Sequence, residues 1–414
     1  MKTYQGTVDR LVESFWLTDT MYDESILLVA QTDASGAIIS APAAKLLFPA
    51  QQVLSVKQYY HANNNGQIVE FTEGEHFICR DGHIVACGVF ETDTATGLAT
   101  FRCAMPYVTD RQLTGEDTFP GLRSGDTTIP SIDEGLYLPF TEGHQIVQMQ
   151  LSVTYTHEVG LWAGDAATFQ GDALPKTLKK LKNKEPVELF VYGPSTFVGA
   201  NSSCLLKIPP YLKTFPELFA ESLSQFYGTQ VNLINRSMGG FTSNEGLNGG
   251  VGWWYDQKRA QVGLEELLNT GELAAYSPDL VVLGFGGNDV AWGIPYETYR
   301  SNMLSMIRIL REKNPACEII LFGAALPNPK AKNQAKQVER FYERFPEIIE
   351  AAGGEGLVEV HSWRMHRDLL QANKRYIELS ANGVNHPNDF LARICAMYLT
   401  TTLIDYDRPR RCCL

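Results

Sequence analysis

The chain has 414 residues, more than one hydrophobic core normally supports, with 44% hydrophobic and 20% charged content of an ordinary globular kind. Its formal charge of −12 at pH 7 argues against nucleic acid as a partner, because phosphate binding needs clustered Lys and Arg. No run approaches the roughly 18 apolar residues of a membrane span, and five acidic residues crowd the first 25 positions ahead of the short apolar run ILLVA at 26–30, so neither a membrane partner nor an export signal is expected and a cytoplasmic protein is.

Residues 1–180 read as short strands between turns. In FICRDGHIVACGVF at 77–90, Asp81-Gly82 separates two strand-like runs, a two-residue hairpin signal, and GVFETDTATGLATFRCAM continues the texture. Val147, Met149, Leu151, Val153 and Tyr155 alternate with polar residues, which predicts a strand with one buried and one wet face. Many short strands with little helical periodicity predict an all-β sandwich or jelly-roll domain over 1–180. The basic run KTLKKLKNK at 176–184 reads as a solvated connector to a second domain at 185–414.

After Pro186 strands and helices alternate. Strand-like runs fall at 187–192, 231–235, 279–285, 317–323 and 357–360, and helix-like segments near 209–227, 255–270, 296–313, 331–352, 363–373 and 388–404. Such alternation predicts a parallel sheet covered by helices on both faces, a three-layer α/β/α architecture. Open sheets of this kind bind ligands outside the C-terminal strand ends, where several polar motifs now fall. Ser195 follows VELFVY on a Gly-Pro turn that can present its hydroxyl as a nucleophile. Asn288 closes DLVVLGFGGND, where glycines let the backbone bend, and His386 lies in GVNHPND just before the last helix. Taken singly, each residue also fits a turn, cap or packing role.

Together the blocks GPSTFVG, NRSMGGFTS, LGFGGND and VNHPND resemble the SGNH (GDSL-type) hydrolase superfamily, named for its Ser, Gly, Asn and His blocks, over about Val187 to Leu403. The resemblance implies a flavodoxin-like hydrolase domain with Ser195 as nucleophile, the Gly240 backbone and Asn288 side chain as oxyanion donors, and His386 as general base. Gly240 is favoured over Gly239. Two positions depart from the pattern: Pro194 stands where the first block usually has Asp, and Gly383 stands where many members place an Asp three residues before the histidine. Asn382 is the nearest polar neighbour, and Asp389 better suits the first turn of the following helix. The histidine is then oriented by a backbone carbonyl or a distant carboxylate, or the site runs as a Ser–His dyad.

These readings lead to a serine esterase that removes a small acyl group, acetyl being favoured, from a carbohydrate or similar polyol. The sugar comes from analogy with carbohydrate esterases that carry a leading β-sandwich. The rivals are a lipase, thioesterase or acyltransferase, and a sugar-binding protein with a degenerate site. No cofactor is expected, nor a metal, since the eight cysteines lack a Cys-x-x-Cys spacing with histidines. The substrate is a small molecule or oligosaccharide ester, and a homo-oligomer is compatible with the chain. In the loop GLNGGVGWWYDQ at 246–257, Trp253 and Trp254 are open to a sugar platform or to core packing, as is Trp292. His361 and His366 read as surface or packing residues.

Overall fold

The structure is a computed structural model that describes residues 12–64, 66–123, 128–253, 259–332, 334 and 337–406. Its C-terminal half is built on a five-stranded parallel sheet. From edge to edge the strands are Val231–Asn235, Val187–Tyr192, Leu280–Leu283, Glu318–Gly323 and Leu357–His361, so the chain order is 2-1-3-4-5. That is the doubly wound, flavodoxin-like order, in which the crossover connections place helices on both faces.

The strand sequences explain the layering. VELFVY, LVVL and EIILFG are almost entirely buried, as expected of strands covered on both sides. Successive side chains divide between the two faces. Leu189, Val191, Leu280, Val282, Ile320 and Phe322 join one apolar cluster with helices Phe215–Tyr227 and Asp389–Leu403. Phe190, Tyr192, Val281, Leu283, Ile319 and Leu321 join a second with helix Tyr296–Lys313.

Helix 296–313 falls where the periodicity places it, and others differ at their ends for local reasons. The helix expected over 209–227 starts at Phe215, because Thr214 and Glu217 form a capping box after two consecutive prolines, and Gly228 closes it with φ of 64°. The single helix expected over 331–352 is broken into Glu339–Tyr342 and Phe345–Ala351, the second opening on Pro346. Of the helix expected over 255–270, residues 255–258 lie outside the described residues, Ala260–Val262 pairs with Gly249–Val251 as a ribbon, and Leu264–Asn269 forms a helix. The basic run at 176–184 is not a solvated connector: Pro175–Lys182 is a helix that buries Thr177, Leu178 and Leu181 and ties Lys180 to both oxygens of Asp279 at 2.7 Å.

The N-terminal region is strand-rich. One antiparallel sheet contains Thr20–Ile26, Leu151–Thr156, Gln52–Gln58 and Val69–Phe71. A second contains Val108–Thr109, Val29–Ala30, Ala43–Lys45, His83–Ala86 and Phe77–Arg80, with its first two strands parallel, and two-stranded ribbons pair Gly88–Thr92 with Ala99–Cys103 and Thr128–Pro130 with Tyr137–Pro139. The hairpin at Asp81-Gly82 has φ of 51° and 72° at the two turn residues, as a type I′ turn demands. The alternating run at 147–155 is a strand only from Leu151, since Val147–Met149 is a 3₁₀ turn. Ile26, Val56 and Val153 from one sheet and Ala44, Phe77 and Ile84 from the other lie in one cluster with helix Asp389–Leu403, so the two halves of the chain share a core.

A polar seam completes the docking. Lys374 Nζ donates at 2.8 Å to Glu24 Oε1 and to the Ser25 carbonyl, while Glu24 also accepts from the Tyr155 hydroxyl at 2.6 Å. Glu378 accepts from the Leu27 N–H, and Gln150 donates to the Ile377 and Ser380 carbonyls. These bonds fix the 376–388 segment, which carries His386. Among the described residues no helix is long and apolar enough to cross a membrane.

Candidate active site

Ser195 is the first residue of a one-turn helix, Ser195–Val198, reached from Val187–Tyr192 through Gly193-Pro194. The turn is tight because glycine ends the neighbouring strand. A Cβ on Gly284 would lie 2.0 Å from the Phe197 ring, so only glycine lets the helix seat against the sheet. The hydroxyl is largely buried but lines a cavity of about 360 Å³.

His386 arrives from the opposite side on a loop held by its own polar groups. Asn382 Oδ1 accepts from the backbone N–H groups of Val384, Asn385 and His386, each at 3.0 Å, and Ser380 Oγ donates to the His386 carbonyl at 2.9 Å. The ring then meets Ser195, with Nε2 to Oγ at 2.9 Å.

The Nδ1 side decides the tautomer. It lies 2.5 Å from Asn201 Oδ1, 3.0 Å from Asn382 Nδ2 and 3.6 Å from Glu142 Oε2. The two amide contacts demand opposite protonation, so one must yield. Asn201 Nδ2 donates to the Glu142 carbonyl at 2.9 Å, and a carbonyl only accepts, which turns Oδ1 toward the ring. Asn382 Nδ2 already donates to Asn385 Oδ1 at 2.9 Å. The shorter Asn201 bond therefore takes the Nδ1 proton and leaves Nε2 as an acceptor for the Ser195 hydroxyl.

Gly239 and Gly240 line the same cavity; Gly240 has φ of 79°, and the Gly239 carbonyl accepts from the Trp253 N–H at 2.9 Å. Asn288 lines it too, donating one amide hydrogen to the Phe241 carbonyl at 2.9 Å. Its neighbour Asp289 is wholly buried and accepts from Ser243 N, Ser243 Oγ and Gly286 N, tying the glycine loop to the Asn288 turn. Burial raises the Asp289 carboxyl above its ordinary range, although those hydrogen bonds pull it back.

The four sequence-derived residues Ser195, Gly240, Asn288 and His386 thus converge on one cavity. Trp253 and Trp292 flank it, more than half exposed, with ring centroids 5.8 Å apart in an edge-to-face pair; Trp254 lies outside the described residues. Asp389 points away, its Oδ1 accepting from Ser203 N at 3.0 Å. His361 and His366 are buried packing residues, not surface ones: His361 accepts from Trp363 Nε1 and stacks on Phe345, and His366 accepts from Leu326 N. Among the described residues no group of three His, Cys, Asp or Glu could hold a metal ion.

Sequence reasoning missed one wall of this cavity. Ile129, Phe140 and Glu142 line the cavity from the strand-rich half. Nothing in their local sequence signals this, because only docking of the two halves brings them there. Asn201 was missed as well, although it sits just six residues after Ser195.

The 2-1-3-4-5 parallel sheet thus carries a hydrogen-bonded serine and histidine at its C-terminal edge, where doubly wound sheets bind ligands. Residues 191–394 match the GDSL-like Lipase/Acylhydrolase family. An arylesterase from Vibrio mimicus is 26% identical over 141 residues, 34% of this chain, which spans 58% of that relative's length. Among solved structures, a two-domain esterase (CEX) active on acetylated mannans is 17% identical, with 60% of this chain and 59% of that one covered and a TM-score of 0.38. A catalytic mutant of the acetylxylan esterase Axe2 from Geobacillus stearothermophilus is 15% identical over 51% of this chain and 93% of that one, with a TM-score of 0.36. The structural likenesses are too distant to bear on substrate.

Proposed function

We propose that the protein is a serine carboxylic ester hydrolase that removes a small acyl group, acetyl in the first instance, from a carbohydrate or similar polyol. The observation that carries this reading is the 2.9 Å contact between Ser195 Oγ and an His386 Nε2 left unprotonated by the bond at Nδ1. Ser195 Oγ attacks the ester carbonyl while Nε2 takes its proton, and the same proton passes to the departing alcohol. Water then cleaves the acyl-serine by the reverse roles, releasing the acid. The negative charge on the carbonyl oxygen is met by the N–H groups of Ser195 and Gly240 and by Asn288 Nδ2.

The exposed Trp253 and Trp292 rings favour a sugar ring at the cavity mouth, because apolar sugar faces stack on such surfaces. The cytoplasmic placement accords with the six described cysteines, none of which is in a disulfide. A formed Ser–His bond weighs against a degenerate binding protein. The similarity to an arylesterase recommends p-nitrophenyl acetate as the first probe. Wild type should turn it over and Ser195→Ala should not; equal rates would end the esterase reading. Across p-nitrophenyl esters of rising chain length, kcat/KM should fall beyond the shortest acyl groups, and a rise toward long chains would favour a lipase. Acetate release from acetylated oligosaccharides then tests the sugar.

A further inference from the structure

Position 383, where an acid three residues before the histidine would sit, is sterically closed. Gly383 has φ of 83°, and a Cβ there would lie 2.2 Å from the Pro139 carbonyl oxygen, which belongs to the strand-rich half. The segment that closes this position also brings a carboxylate to the histidine. Three residues beyond Pro139, Glu142 places Oε2 3.6 Å from His386 Nδ1.

The segment is fastened to the histidine loop on both sides. The Thr141 N–H donates to the Asn382 carbonyl at 3.3 Å, and Asn201 Nδ2 donates to the Glu142 carbonyl at 2.9 Å. The Glu142 side chain is about one-fifth exposed, so its charge is only partly screened. Around the ring stand Ser195, Asn201, Asn382 and Glu142. Apart from His386 itself, Glu142 is the only charged or titratable group among the described residues lining the cavity.

We infer that Glu142 is the positioning residue that stabilises the His386 imidazolium, supplied by the strand-rich half in place of an acid at position 383. This rests on the reading of Ser195 and His386 as an ester-cleaving pair. The labour divides: Asn201 fixes the tautomer without charge, and Glu142 supplies the charge. The strand-rich half therefore completes the catalytic apparatus as well as walling the cleft.

The test compares Glu142→Gln and Glu142→Asp with wild type, using p-nitrophenyl acetate between pH 5 and 9 and Ser195 labelling by a fluorophosphonate. An opposite charge favours the protonated ring, so Glu142→Gln should move the acid limb of kcat/KM to lower pH, with kcat lowered roughly 10- to 100-fold and KM little changed. Glu142→Asp keeps the charge, so its limb should stay near the wild-type position and more of its kcat should survive. A Glu142→Gln limb at the wild-type pH overturns the proposal, whether or not activity falls, as does an Asp variant no better than Gln. If Glu142→Gln fails to fold, the limb position of Glu142→Asp decides: a limb shifted down overturns the proposal. Failure of wild type to be labelled at Ser195 overturns the underlying reading as well, whereas normal wild-type labelling with an unshifted Glu142→Gln limb removes Glu142 alone.

Discussion

The parallel-sheet half and the strand-rich half contribute to the same cavity by different routes. The first brings Ser195, Gly240 and Asn288 to the C-terminal edge of the sheet by local means, each at or just beyond a strand end. The second contributes Ile129, Phe140 and Glu142 from segments with no such address, held in place by docking across a shared core and a buried polar seam. Residues of the first kind are fixed by strand-and-turn sequence, whereas those of the second are fixed only by tertiary contact. Perturbations should separate the two accordingly.

The largest effect should come from His386→Ala. Loss of the base should lower kcat roughly 10⁴- to 10⁶-fold with little change in KM, as in other hydrolases whose serine and histidine act as a unit. Steady-state kinetics on p-nitrophenyl acetate would show it, and a loss below tenfold would remove His386 from the chemistry.

The seam comes next. Lys374 and Glu24 are almost completely buried, and Lys374→Met would strand the Glu24 carboxylate without its cation. Breaking a buried pair in this way costs about 3–5 kcal/mol. The Lys180–Asp279 pair, within the parallel-sheet half, has a lysine about one-third exposed, and Lys180→Met should cost about 1 kcal/mol or less. Urea unfolding of both variants would sharpen the contrast, and equal losses would deny the seam its special weight.

Asn288→Ala should lower kcat by roughly 10²–10³ with a smaller change in KM, because its donor acts on charge that develops during the reaction. A change confined to KM would make Asn288 a ground-state binding residue.

The smallest effect is a pH slope. Burial pushes the His366 imidazole down to about 3. The folded chain keeps it neutral, while the unfolded chain takes up a proton below about pH 6.5. This residue therefore erodes stability as pH falls from about 6.5 toward 3, by up to about 1.4 kcal/mol per unit. In His366→Gln the stability measured between pH 6.5 and 5 should decline less steeply, and an unchanged slope would contradict the account.

How much of this was legible in the sequence follows the same division. The strands of the parallel sheet could be read because continuous apolar runs bounded by Pro and Gly admit little else, and the four motif blocks lie where those strands end. Helix ends were harder, since Thr214, Pro346 and Gly263 act through capping and close approach rather than periodicity. Gly383 was visible as a departure, but its cause was not. The cause is the Pro139 carbonyl, 244 positions earlier in the chain. Glu142 and Asn201 were illegible for a related reason, because a carboxylate and an amide mark no role until a fold brings them to an imidazole.

The central claim is that Ser195 is a nucleophile activated by His386. A fluorophosphonate that resembles the tetrahedral intermediate tests it most directly, with the adduct mapped by peptide mass spectrometry. The account predicts a single adduct on Ser195, formed in wild type and abolished in both Ser195→Ala and His386→Ala. An adduct on another serine, or undiminished labelling without His386, would contradict it.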